Sequence, residues 1–196
     1  MSPAPHPARE LRHRRSVDVQ AFARPDGLWE VEAQVQDVKT RPMNLATGRL
    51  EAGQPLHDMG LWLLVDTQFN ILDAQAQTRA APYGVHCQGY GQAYRQLVGL
   101  NLMRGFRAQL KQRLGGVAGC THLTELAQVL PTALLQSFAG DVLDPRENSE
   151  HGEQPFQLDR CHALAVDAPA VKAYYPRWHR PRVPAEAEAS ALTPSP

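Results

Sequence analysis

In "LWEVEAQVQDV", residues 28–38, Trp29, Val31, Ala33 and Val35 alternate with Glu30, Glu32, Gln34 and Gln36. A period of two belongs to a strand with one face buried and the other in water. The preceding "SVDVQAFA", from Ser16, is joined to it through "RPDG". That tetrapeptide suits a tight turn, because Pro presets φ at its first central position and Gly accepts positive φ. The two segments predict an antiparallel hairpin. A loop with Pro42, Gly48, Gly53 and Pro55 runs from about Thr40 to His57, after which "MGLWLLVDTQFNILDAQAQT" reads as two more strands turning near residues 67–70.

Beyond Pro82 the period changes. Leu97, Leu100, Met103, Phe106, Leu110 and Leu114 recur at steps of three and four, which predicts one stripe of a helix ending at Gly115 and Gly116. Leu123, Leu126, Leu130, Leu134 and Phe138 form a second stripe, with Pro131 expected to kink or split its helix. The expectation is an α+β fold: an antiparallel sheet of about four strands, two main helices on one face, and a short C-terminal unit. A polar stretch from Asp144 to Pro155 separates that unit from the helices. Residues 1–14 and 179–196 lack apolar periodicity and are expected to be disordered tails around a single domain at 15–178.

Composition removes some function classes. The 20 basic and 20 acidic side chains balance, at a pI near 7.1, so neither nucleic acid nor a membrane surface is an expected partner. No apolar run is long enough for a span, and the positive charge of "MSPAPHPARELRHRR" has no apolar segment behind it, so a cytoplasmic location is expected. P-loop, dinucleotide-binding, HExxH and nucleophile-elbow motifs are absent from the sequence.

The cysteines carry the candidate chemistry. Each of the three stands close to a histidine: Cys87 follows His86, Cys120 precedes His122 by two, and Cys161 precedes His162. An odd count without a secretion signal argues against a disulfide framework and gives weight to metal or thiol chemistry. Thiolate and imidazole suit zinc or an iron–sulfur centre. The set favoured by spacing is Cys87, Cys120, Cys161 and His122. His162 is less suited, because neighbours in extended chain point oppositely, and it stands with Asp159 and His57 as an alternate. A rival reading makes Cys120 a nucleophile, its thiolate favoured at a helix N-terminus, with His122 or His162 as base and Asp159 as the orienting group. A metal-free binding or assembly module with ordinary buried thiols is the third, and Thr121 as N-cap would then account for the motif.

"RPDGLWEVEAQVQDVKT", "HDMGLWLLVDTQFNILDA", "GGVAGCTHLTEL", "DRCHAL" and "YYPRW" together resemble the bacterial family known as domain of unknown function 2889. The resemblance covers about residues 9–178 and supplies no activity. It implies that His57, Asp58, Cys87, Cys120, Thr121, His122, Glu125 and Cys161 are the matching positions. A weaker similarity, to IscU/NifU-type iron–sulfur scaffold proteins, implies cysteines and a histidine that hold zinc or a cluster, although Cys120 falls later in the chain than that pattern requires.

Overall fold

The alternating segment forms the second strand of a four-stranded antiparallel sheet of order β1-β2-β5-β6 in a computed structural model that describes residues 8–146 and 152–182. β1 (His13–Ala23) and β2 (Trp29–Lys39) pair along their whole length around the Arg24–Gly27 turn, where Gly27 has φ 80°. The expected loop contains a small hairpin, β3 (Met43–Leu45) with β4 (Gly48–Leu50). β5 (Pro55–Val65) starts earlier than the apolar run suggested and pairs with both β2 and β6 (Ile71–Ala80). Mixed α+β architecture is thus observed.

One sheet face is core. Trp29, Val31, Ala33 and Val35 of β2 are buried with Met59, Leu61, Leu63 and Val65 of β5 and with Ile71 and Ala74 of β6. The opposite face carries Glu32, Gln34, Gln36, Asp58 and Gln77 and remains at least partly in water. The first unit of the chain, through Ser137, adds helices to this sheet. A short α1 (Val85–Gln88) leads into a 3-10 segment over Gly89–Leu97, followed by α2 (Phe106–Leu114) and α3 (Thr121–Phe138).

Two helical expectations change. The stripe from Leu97 to Leu114 is not one helix, because Gly99 and Gly105 adopt positive φ and the chain between them bonds to the β5–β6 turn: Ile71 N–H donates to Leu100 O, and Leu102 N–H to Phe69 O. Leu97, Leu100, Phe106, Leu110 and Leu114 are still buried, so the apolar spacing records burial, while Met103 faces out. α3 runs unbroken through Pro131, whose missing N–H costs the helix one internal bond.

Gly91 lies where the 3-10 segment touches β6, and a Cβ there would sit 2.5 Å from the Ala76 carbonyl oxygen. Replacing it with Ala should therefore cost about 1–3 kcal/mol, as other overpacked contacts do. Urea unfolding checks this, and an unchanged midpoint would mean that the segment yields freely.

The second unit begins at Phe138. It contains α4 (Pro169–Tyr174) and a loop fixed by Asp159, which holds φ 58° and accepts the Val166 N–H at 2.9 Å. Residues 1–7, 147–151 and 183–196, which include half of the expected N-terminal tail, most of the expected C-terminal tail and part of the expected polar loop, lie outside the described residues. Residues 13 and 14, also assigned to the N-terminal tail, are the first two of β1.

A candidate metal centre at one end of the sheet

The buried series on β2 continues one step further, to Asp37. It is 1% exposed, and among the described residues it is the buried charged or polar side chain. Its register partners are Arg15 on β1 and His57 on β5, so an Arg–Asp–His row crosses three strands on the core face. The β2–β5 register shifts immediately beyond Asp37, and the β5–β6 register shifts between Asp58 and Met59. Such bulges re-aim side chains and are frequent beside functional sites.

Arg15 grips the carboxylate with a fork: Nε donates to Oδ1 and Nη2 to Oδ2, each at 2.8 Å. His13 Nε2 lies 3.0 Å from Oδ1, and His57 Nδ1 lies 3.0 Å from Oδ2. The remaining Arg15 nitrogen, Nη1, donates to Glu125 Oε2 on α3 at 2.7 Å. A charged group can be buried this deeply because it is both paired and hydrogen-bonded. The Arg15 bonds, with further help from His57 and against the effect of burial, lower the Asp37 pKa to about 2. Bonding to Asp37 raises that of Arg15 in turn.

α3 delivers the third element. Cys120 stands just before its first residue and accepts the Thr124 N–H at 2.9 Å, so Cys120, rather than Thr121, is the N-cap. Buried Tyr94 fixes this corner: its hydroxyl receives the Cys120 N–H at 3.0 Å and donates to Cys120 O at 2.8 Å. His122 then projects onto the sheet. Its ring centroid is 3.8 Å from that of His57, and its Nε2 is 3.7 Å from Asp37 Oδ2. Ligand atoms of Asp37, His57 and His122 all lie within 4.8 Å of one another.

Both imidazoles have lowered pKa values. Burial is the main cause for each, helped by His122 at His57 and by Arg15 at His122. They are neutral near pH 7 and offer lone pairs, the form that binds metal. Nitrogen or oxygen ligands about 2.0–2.2 Å from one ion in tetrahedral array lie about 3.3–3.5 Å apart. The separations from Oδ2, 3.0 and 3.7 Å, bracket that figure.

A pH dependence follows from these shifts. A histidine with a lowered folded pKa resists protonation only in the folded state, so stability should fall as pH drops below the ordinary value of 6.5. Asp37 acts in a separate window: its contribution is complete above the unfolded value of about 3.9 and is lost as pH falls towards about 2. Denaturant midpoints measured from pH 8 to pH 2 should show both declines, and the first should be absent in a His57→Ala/His122→Ala protein.

The family profile described as Protein of unknown function (DUF2889) matches residues 13–136, more than half of the chain. The chain belongs to that family. The matched span begins at the first strand residue and includes Asp37, His57, Cys120 and His122, so the cluster lies wholly within the family's domain. No curated protein and no solved structure matches the chain, and the similarity to iron–sulfur scaffold proteins finds no support in these comparisons.

The sequence-derived candidates fall at several places. His122 and the alternate His57 meet at the cluster, with Cys120 beside them. Cys87 lies half-buried in α1. Cys161 is exposed in the second unit, where it precedes the 3-10 turn His162–Leu164. Asp159 holds its own loop. Asp37, Arg15 and His13 were not among the sequence candidates, although Asp37 continues the Trp29–Val35 alternation and His57 extends the Met59–Val65 series by one step. A charge at a core-facing strand position is the signal that identifies them. No helix among the described residues is long and apolar enough to cross a membrane.

Proposed function

We propose that the domain binds one divalent transition-metal ion, zinc foremost, through Asp37, His57 and His122. The observation carrying this reading is the convergence of two imidazoles and a buried carboxylate within 4.8 Å. Two histidines and one carboxylate suit zinc or ferrous iron and leave coordination positions open, whereas an iron–sulfur centre draws mainly on thiolates. Arg15 neutralises Asp37 while the ion is away, and its bond to Glu125 gives the guanidinium a second anchor when the ion takes Oδ2. His57 then turns its proton to Nε2, so that Nδ1 presents its lone pair.

Equilibrium dialysis against buffered zinc at pH 7.5 tests the reading. Wild-type protein should bind one equivalent, and His57→Ala or His122→Ala should weaken binding at least 100-fold, while His151→Ala should not. Equal zinc uptake by the wild type and the double histidine variant would defeat it.

A second reading rests on His122 standing between two groups. Its Nδ1 is 4.0 Å from Cys120 Sγ, and its Nε2 is 3.7 Å from Asp37 Oδ2. This is the order of a thiol nucleophile, its base and an orienting carboxylate. Under it, iodoacetamide should modify Cys120 at least tenfold faster than Cys87 or Cys161 in metal-free protein, and His122→Ala should abolish the difference.

A further inference from the structure

The sulfur side of His122 has no part in the divalent site. Cys120 Sγ lies 3.7 Å from Met59 Sδ and 4.0 Å from His122 Nδ1. Met59 is 1% exposed and occupies the core-facing position of β5 two residues after His57, so its thioether is held by the strand. Cys120 is held with similar firmness by its N-cap role and by Tyr94. The Cys120 thiol therefore stands within 4.0 Å of both a thioether and an imidazole nitrogen, the three side chains coming from β5 and the start of α3.

We infer that Cys120 Sγ, Met59 Sδ and His122 Nδ1 form a site for a soft monovalent ion, cuprous copper. Thiolate and thioether donors select copper(I), whereas oxygen and nitrogen donors suit harder divalent ions. Sulfurs about 2.3 Å from one ion at tetrahedral or trigonal angles stand about 3.8–4.0 Å apart, and a sulfur and a nitrogen about 3.5–3.7 Å. The two separations from Cys120 Sγ, 3.7 Å to Met59 Sδ and 4.0 Å to His122 Nδ1, lie within a few tenths of an ångström of those values. On binding, the Cys120 S–H bond breaks, its proton leaves to solvent, and the sulfur lone pair bonds to the ion. No electron is transferred.

The site goes beyond the proposed divalent centre and shares only His122 with it. A neutral imidazole has a single lone pair, presented at Nδ1 or at Nε2 according to tautomer. His122 thus serves copper on its sulfur side or the divalent ion on its carboxylate side, one at a time. Copper loading should weaken zinc binding.

The test is an anaerobic titration with cuprous ion against bicinchoninate, in a Cys87→Ser/Cys161→Ser protein whose one thiol is Cys120. It should take up one equivalent. Met59→Leu, which nearly conserves volume, should weaken uptake at least tenfold and leave zinc binding unchanged, and Cys120→Ser should weaken it at least 100-fold. His57→Ala should do the reverse, sparing copper and losing zinc. Copper binding that survives Met59→Leu at full strength, or no uptake of one equivalent, overturns the sulfur site whatever zinc does. Zinc binding that survives His57→Ala overturns only the divalent reading.

Discussion

Asp37→Ala should lower the stability of the folded protein by about 2–3 kcal/mol, which for a chain of this size means a melting temperature roughly 5–10 °C lower. The carboxylate is almost wholly buried and binds Arg15 through both oxygens, with His13 and His57 also directed at it. Removing it leaves a guanidinium and three imidazoles, those of His13, His57 and His122, around an empty place. Breaking one partner out of a buried pair usually costs more than this, but Arg15 and His13 are each more than a third exposed and regain water. Asp18→Asn provides the comparison, because Asp18 is exposed and accepts a bond from the exposed Gln20 amide, so the change should alter stability little. An Asp37→Ala midpoint within about 0.5 kcal/mol of wild type would show that the cluster contributes no net stability.

Zinc should raise the melting temperature of wild-type protein by roughly 5–10 °C at a free concentration near 100 times its dissociation constant, equivalent to about 2.7 kcal/mol by mass action. His122→Ala should eliminate the rise, since two ligands remain. The effect should also shrink below pH 6.5, the ordinary histidine value, as protons compete for both rings. A zinc-dependent rise of equal size in wild type and His122→Ala would place the ion elsewhere. Differential scanning fluorimetry with a zinc buffer gives both readings.

The sheet was legible because its residues obey the period of two from Trp29 to Val35 and from Met59 to Val65. Strand ends were less so. β5 begins at Pro55 and β1 at His13, where charged and polar residues interrupt the apolar alternation, yet His57, Arg15 and His13 stand in those extensions. Cys120 and His122 were recognisable as a pair at a helix start, and that is where they are. Their partners were not, since the cross-strand register that sets Asp37 opposite Arg15 and His57 depends on pairings remote in sequence. The long stripe from Leu97 misled for a related reason. A three- and four-residue spacing describes which residues are buried, and tertiary bonding of residues 99–102 to the β5–β6 turn satisfies that spacing without a helix.

Diffraction at the zinc absorption edge, from crystals of the full chain grown with one equivalent of zinc, tests the central claim most directly. A single anomalous peak should appear about 2.0–2.2 Å from an Asp37 carboxylate oxygen, from a His57 nitrogen and from His122 Nε2, with the Arg15 guanidinium still bonded to Glu125. A peak bound instead by Cys87, Cys120 or Cys161 thiolates, or crystals with Asp37, His57 and His122 unchanged and no ion between them at saturating zinc, would contradict it.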